Sequence, residues 1–311
     1  MMARATDAFS SFDPREVTMI VSRRVLPTIA LLSVLAATAL AMVAGAATME
    51  SQPAMVQQIT HYVRYRYQGT VSFGILDGET VQPLDGDFLT GGRPSGPTVA
   101  LADVELLAPV APSKVIAVGL NYRSHIGDQD PAPYPGLFAK YPTSIVGPGA
   151  DIVIPPDASN VHYEGELVVV IGKTAKNVAE QDAREYIFGV TAGNDVSERN
   201  WQRDDLQWLR AKGSDTFGPL GPAVVTGLDY NDLHVETRLN GDVRQAASTA
   251  DLIFGVDTIV SYVSRYVTLY PGDIIFTGTP GSTRAMQPGD VVEIEVQGVG
   301  VLRNTVAAAQ R

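Results

Sequence analysis

The chain has 311 residues, 45% of them hydrophobic, with 23 basic against 34 acidic side chains for a net charge of −11, four histidines and no cysteine. That length holds one large domain or two, and the acid excess argues against a nucleic-acid binder, whose affinity comes from clustered Lys and Arg. Without cysteine there is no disulfide framework, zinc ribbon or Cys nucleophile, so a metal would be held mainly by oxygen.

From Val25 to Met49 no side chain is charged; Arg23 and Arg24 precede this run and Ala44-Gly45-Ala46 lies near its end. A basic start, an apolar middle and a small-residue end make a secretory signal. Residues 1–46 therefore read as an export segment, with the periplasm as the expected location and Met19 as the expected start of translation. Ser22-Arg23-Arg24-Val25-Leu26 resembles a twin-arginine signal, with Pro27 where another large apolar residue is usual. Its length also suits a retained anchor, in which case this segment alone would touch the membrane.

Residues 47–111 read as a small β-rich module. Tyr62 to Tyr67 alternates aromatic and basic residues, Val71 to Leu76 is apolar, and Asp77-Gly78 signals a hairpin. After Pro112, residues 112–306 read as a catalytic domain. Longer strands are expected at Val115–Val118, Glu166–Ile171, Ile187–Val190, Ala223–Thr226, Ile274–Thr277 and Val291–Val296. Helical patterns are few: Val178–Tyr186, Val196–Leu209 and Thr258–Tyr266. Strands dominate without alternating with helices, so the class is α+β and strand-rich rather than doubly wound. There is no G-x-S-x-G elbow, P-loop or complete G-x-G-x-x-G.

The chemistry concentrates in His162-Tyr163-Glu164-Gly165-Glu166-Leu167. Alternate residues of a strand share a face, so Glu164 and Glu166 project together. Two like charges at the head of an apolar strand repel and lose hydration if buried, which calls for a cation between them. Hard oxygen ligands favour Mg²⁺ or Mn²⁺, with Ca²⁺ as a further hard cation, over zinc. At an exposed edge the same pair would simply be solvated. A second segment, Gly193-Asn194-Asp195-Val196-Ser197-Glu198-Arg199-Asn200-Trp201-Gln202, places Asp195 where a strand gives way to a helix. There it needs no metal if it serves only as a helix cap. Arg199 and Gln202, three apart, would share a helix face.

Y-E-G-E-L-V-V-V-I-G (163–172), N-D-V-S-E-R-N-W-Q (194–202), K-G-S-D-T-F-G-P-L-G-P (212–222) and P-G-D-I-I-F-T-G-T-P-G (271–281) occur in the order and spacing of the fumarylacetoacetate hydrolase family. The resemblance extends upstream to Gly119-Leu120-Asn121-Tyr122-Arg123-Ser124-His125. It implies a mixed β-roll, usually in a homodimer, with Glu164, Glu166 and Asp195 as carboxylate ligands of Mg²⁺ or Mn²⁺. It also implies His125 as the base that activates water, oriented by an acid one helical turn later. Asp128 stands there in place of the family's usual glutamate, and Asp130 is the alternative. Lys212 and Arg199 would supply positive charge against a developing oxyanion, Gln202 a neutral hydrogen bond, and Thr279 a contact to the substrate carboxylate. Pro131 to Pro135 would form a lid. The expected substrate is a small 2-oxo acid chelated to the metal, and the expected reaction is hydrolysis of a C–C bond in an acylpyruvate-type 2,4-dioxo acid. Decarboxylation of oxaloacetate or isomerisation of a 2-hydroxyhepta-2,4-diene-1,7-dioate would use the same site, and an exported protein binding metal or 2-oxo acid without turnover is the non-enzymatic alternative.

Overall fold

The computed structural model of the chain describes residues 58–309. The expected export segment, its cleavage near Ala46 and the start at Met19 lie outside the described residues. Among the described residues no helix is long and apolar enough to cross a membrane.

Strand formation follows the sequence pattern closely. Thr60–Tyr67 and Thr70–Asp77 pair through a turn at Gln68-Gly69, both at positive φ (48° and 80°), the handedness that matches a tight turn to the twist of its strands. The Asp77-Gly78 turn brings Thr80–Pro83 back onto the second strand. These N-terminal strands join the main sheet, because Thr60–Tyr67 pairs antiparallel with Gly218–Thr226. The boundary expected at 111–112 is thus no break in the sheet.

The main sheet has 12 strands. From Gly218–Thr226 its order continues through Ile187–Asn194, Gly165–Ile171, Ile274–Phe276, Val115–Gly119 and Gly136–Lys140. Ile274–Phe276 runs parallel to Val115–Gly119 and its other neighbour is antiparallel, so the sheet is mixed. A second sheet orders Asp242–Ser248, His234–Leu239, Val291–Val296, Gly300–Ala308 and Asp151–Ile154.

Gly165–Ile171 lies at the centre and is buried along its whole length. Leu167, Val169 and Ile171 pack into one core cluster with Val235 and Ile294 of the second sheet. Val168 and Val170 face the other way, with Leu220, Val224 and Phe276. Burying each such side chain contributes about 1.5–3 kcal/mol, which anchors a strand whose head carries two glutamates. Gly165 faces the second sheet so closely that an added Cβ would lie 2.0 Å from Thr237 Oγ1. Glu164 and Glu166 therefore project from the opposite face, as the period of two requires.

Helical expectations hold less well. Val256–Tyr266 forms an α-helix, but the pattern at 178–186 yields a 3-10 segment, Glu180–Tyr186. The single helix expected over 196–209 is instead a short strand, Ser197–Glu198, followed by helices Arg199–Asp204 and Leu209–Gly213. The reason is Glu198, fully buried, whose carboxylate accepts from the backbone N–H of Trp201 (2.6 Å) and of Asn160 (2.9 Å). It caps the helix and fixes its start. Asp195 is therefore not a cap.

Candidate active site

The ends of two adjacent strands build the site. Asn194, the last residue of Ile187–Asn194, pairs with Gly165, and its side-chain oxygen accepts from the Glu164 N–H (2.9 Å). The Asp195 N–H donates to the Glu164 carbonyl (2.9 Å). This register gathers Glu164, Glu166 and Asp195, with a donor oxygen of each within 4.8 Å of the others. All three are buried, at 5%, 1% and 1% exposure, which excludes the solvated-edge reading.

Burying three carboxylates costs several kcal/mol each unless charge and hydrogen bonds compensate. Lys212 Nζ lies 2.7 Å from Glu164 Oε2 and 2.5 Å from Asp195 Oδ2. Arg199 reaches Glu164 Oε1 at 2.5 Å and donates to Gln202 Oε1 at 2.7 Å. A further cation, absent from the sequence reading, is Lys140 at the end of Gly136–Lys140. Its buried ammonium lies 2.7 Å from Asp195 Oδ1 and also donates to the Lys212 carbonyl. Nothing near Lys140 in sequence signals this role, since only tertiary pairing brings it to Asp195. Glu166 has no lysine of its own; the Gly278 N–H donates to its Oε2 at 2.6 Å.

The electrostatics separate the two glutamates. Burial works against ionisation of Glu164, but Lys212 and Arg199 outweigh it and hold the carboxyl at about 2. Burial, with Asp195 and Glu164 as like-charged neighbours, pushes Glu166 well above the usual carboxylate range. Lys212 is raised despite burial because Asp195 and Glu164 attract its charge, whereas burial dominates at Lys140 and lowers it.

The donor set fits a divalent ion. Besides the clustering of oxygens, Asp195 Oδ1 is buried and meets the Lys140 ammonium at 2.7 Å as an ion pair, with no other partner among the described residues. Repulsion at Glu166 is likewise what a cation would relieve. Glu164, Glu166 and Asp195 would hold such an ion.

A cavity of about 220 Å³ opens onto these carboxylates, lined also by His125, Arg199, Gln202, Lys212 and Thr279. Its apolar side includes Leu120, Phe138 and Trp208, the last two edge-to-face at 5.3 Å. Leu120 is held at positive φ (58°) because the buried Asn121 pins the turn. The Asn121 amide donates to the carbonyls of Thr277 (2.8 Å) and Phe254 (3.0 Å) and accepts from the Phe254 N–H (2.8 Å). A larger groove, about 310 Å³, borders Ile154, Val161, Met286 and Ala308 but has no charged lining.

Other expected site residues are placed differently. His125, in the short helix Arg123–Ile126, lies with Nδ1 2.6 Å from the Gly281 carbonyl. A carbonyl only accepts, so Nδ1 carries a proton, and in the neutral tautomer that this contact selects the lone pair lies on Nε2. The expected pairing with Asp128 is not made: the helix ends at Ile126, Gly127 turns the chain at φ 59°, and Asp128 and Asp130 are exposed. Pro131 to Pro135 does not cover the cavity; Tyr134 stacks on Tyr262 of the Val256–Tyr266 helix at 6.2 Å. Thr279 lines the cavity, but its hydroxyl donates to the Gly165 carbonyl (3.0 Å) and accepts from Gln245 (2.8 Å). It is thus committed to the fold.

Sequence reasoning also missed a polar chain behind Arg199. Arg199 Nη2 donates to Thr283 Oγ1 (2.8 Å), which lies 2.9 Å from His162 Nδ1, while His162 Nε2 lies 2.8 Å from Asn160 Oδ1. Burial and the Arg199 charge lower the His162 pKa to about 4, which favours the neutral ring.

Residues 114–307 match the family model described as fumarylacetoacetate (FAA) hydrolase C-terminal, and residues 60–109 match the Rv2993c-like N-terminal model. The chain belongs to the fumarylacetoacetate hydrolase family, whose members include hydrolases, isomerases and tautomerases. It is 42% identical to the mitochondrial oxaloacetate tautomerase FAHD2A of Bos taurus, over 68% of this chain and 72% of that one. Among solved structures, 2-hydroxyhepta-2,4-diene-1,7-dioate isomerase from Mycobacterium marinum matches with a TM-score of 0.76 at 41% identity, covering 81% of this chain and all of the other. Maleylpyruvate hydrolase from Sphingobium sp. SYK-6, in complex with manganese(II) and pyruvate, matches with a TM-score of 0.68 at 29% identity, covering 80% of this chain and all of the other.

Proposed function

We propose that this protein is a Mg²⁺- or Mn²⁺-dependent enzyme that moves a proton on a 2-oxo acid, interconverting the keto and enol forms of an oxaloacetate-type dianion. The observation that carries this reading is His125, a cavity-lining imidazole with Nδ1 fixed on a carbonyl, a free Nε2 lone pair and no carboxylate partner. A lone neutral imidazole suits proton transfer at carbon, whereas water activation gains from a carboxylate that raises the basicity of the ring. The names of the bovine tautomerase and the mycobacterial isomerase agree with proton transfer as the chemistry.

Charge supports the same reading. With all three ionised, Glu164, Glu166 and Asp195 are balanced by Lys140, Lys212 and Arg199, so a divalent ion leaves an excess of two positive charges. A carboxylate plus an enolate oxygen matches that excess. A divalent ion there would supply Lewis acidity toward the carbonyl of a chelated 2-oxo acid. His125 Nε2 takes the proton from the carbon beside the carbonyl, and the electron pair passes to the carbonyl oxygen. The imidazolium then returns a proton to that oxygen. Arg199 and Lys212 face the growing negative charge, and the Phe138–Trp208 wall keeps water from the imidazole.

The test is ketonisation of enol-oxaloacetate, followed by loss of enol absorbance with Mg²⁺ or Mn²⁺. His125→Ala is expected to lower the enzymatic rate by about 10²–10⁴-fold. An unchanged rate in that variant, or no rate above buffer with either metal, rejects the reading. A second reading, hydrolysis of acylpyruvates, is favoured by Asp128 lying three residues after His125, next to the conformationally free Gly127. Under that reading Asp128→Asn slows acetylpyruvate cleavage and leaves oxaloacetate ketonisation intact. Carbon dioxide release from oxaloacetate would favour decarboxylation, and metal binding without turnover of either substrate the non-enzymatic alternative. Export through residues 1–46 belongs to the same proposal; N-terminal sequencing of protein recovered from the periplasm tests it, and an intact Met19 there rejects cleavage.

A further inference from the structure

We propose that His162 is a positioning residue that sets the orientation of the Arg199 guanidinium through the hydroxyl of Thr283. Two of the three hydrogen bonds in this chain have directions fixed by a group that can only donate or only accept, and the third follows from the ring tautomer. A guanidinium only donates, so Thr283 Oγ1 accepts from Arg199 Nη2 at 2.8 Å. The Thr283 hydroxyl can either accept a second bond or donate its own proton, and which it does toward His162 Nδ1, 2.9 Å away, is set by the ring tautomer. The proton of the neutral imidazole sits on Nε2 and is donated to Asn160 Oδ1 at 2.8 Å. With Nδ1 unprotonated the hydroxyl donates to it and both oxygen lone pairs stay available to Arg199, whereas a proton on Nδ1 would occupy one lone pair and free the hydroxyl proton to turn toward the guanidinium. His162 thus keeps an oxygen lone pair facing the guanidinium.

The chain of groups is built on fixed backbone. Val161–His162 pairs with Ser197–Glu198, His162 bridges to Ala285, and the Arg199 N–H donates to the Asn160 carbonyl at 2.9 Å. Glu198 holds the Ser159 and Asn160 amides from the other side. Arg199 therefore starts from an anchored residue, while its side chain has four rotatable bonds to fix. Gln202 and Glu164 hold the face toward the cavity, and Thr283 holds the face behind it. A binding group must be held to within about 0.5 Å by partners that are themselves locked, and His162 supplies the lock on Thr283.

The inference rests on the proposed function only in reading Arg199 as substrate-facing, so its test has one arm with turnover and one without. In the first arm, KM and kcat for oxaloacetate are measured for His162→Phe, His162→Asn, Thr283→Val and the His162→Phe/Thr283→Val pair. His162→Phe is expected to raise KM about tenfold with a smaller effect on kcat. His162→Asn, whose side-chain oxygen can accept where Nδ1 did, is expected to recover most of the loss, and His162→Phe is expected to add nothing once Thr283 is Val. Additive effects in the pair, or no recovery by Asn, overturn the proposal. In the second arm, ¹⁵N NMR of the histidine side chains in the unliganded protein reads the tautomer. Nε2–H on His162, with an Nδ1 shift that moves in Thr283→Val, is expected; Nδ1–H overturns the proposal. A protein with this tautomer and this response but no turnover would fail the functional reading alone.

Discussion

Lys140 changes how the charge of the site is counted. The sequence motifs supply three acids, Lys212 and Arg199, which would leave a divalent ion nearly neutralised; the buried Lys140 ammonium beside Asp195 Oδ1 adds a charge that no motif announces. Removing one member of a buried ion pair costs about 3–5 kcal/mol. Metal-free Lys140→Met should therefore melt roughly 10 °C below the parent. Because Asp195 then loses a competing cation, Mn²⁺ should raise the melting temperature of the variant more than that of the parent. Equal Mn²⁺ shifts in the two proteins would show that Lys140 does not compete for the carboxylate.

Glu166 gives the site a pH dependence with a definite sign. Its carboxyl is raised in the folded chain by burial and by Asp195 and Glu164, so the protonated form is the one folding favours. That contribution is complete below the ordinary carboxylate range and is lost as pH rises through the raised value. Glu164 runs the other way, giving stability above the ordinary range that disappears only as pH falls toward about 2. Metal-free protein should lose melting temperature as pH rises from about 5, and Mn²⁺ stabilisation should grow over the same window because binding releases the Glu166 proton. Thermal melts across pH with and without Mn²⁺ check both trends; a metal-free melting temperature that climbs through this window contradicts the assignment. At this scale Glu164 with Glu166 and Arg199 with Gln202 were legible because period-two and period-three spacing fixes which side chains share a face, whereas Asp195 joined the acids only through the family resemblance. Lys140, Gly278, Thr283 and the role of His162 were not legible, because their partners lie far along the chain.

The strand Gly165–Ile171 is where sequence pattern and tertiary packing meet most tightly. Five consecutive apolar residues after Glu166 mark a strand buried on both faces, and the alternation at 164 and 166 correctly put both carboxylates on one side. What the pattern could not reveal is how close the second sheet comes. Gly165→Ala would set a methyl 2.0 Å from Thr237 Oγ1 and 3.0 Å from Ile294 Cδ1, and such overpacking costs about 1–3 kcal/mol. Since Thr237 Oγ1 is itself buried without a hydrogen-bond partner, Thr237→Ala should recover much of that loss when combined with Gly165→Ala. Equilibrium urea unfolding of the two single variants and the double variant measures this, and strictly additive losses would place the strain elsewhere. The helices were read less well for a local reason. Residues 196–209 have helical spacing, but Glu198 accepts amide protons from both Trp201 and Asn160 and therefore starts the helix three residues late.

Across the whole molecule, the sheet joins what the sequence divides. Composition sets residues 47–111 apart from the rest, yet Thr60–Tyr67 is hydrogen-bonded to Gly218–Thr226, beside the strand that leads to Asp195. The fold class was legible from strand dominance and the four motifs; the shared sheet was not, because strand pairing such as His61 with Val225, 164 positions apart, leaves no local mark. A chain beginning at Met55 should fold, keep its melting temperature and respond to Mn²⁺, since the Mycobacterium marinum structure is matched over its full length by 81% of this chain. An insoluble product, or one without a Mn²⁺ response, would show that residues 1–54 take part in the fold.

The sheet order also bears on how the protein reaches and leaves its folded state. The Gly278 amide meets Glu166 across 112 positions and His125 meets Gly281 across 156, and contacts of such sequence separation form slowly because long loops must close first. The carboxylate cluster can therefore be complete only once the central strands have found their neighbours, after the rate-limiting barrier. A bound ion then stabilises the native state without stabilising the transition state, so it slows unfolding and leaves the folding rate where it was.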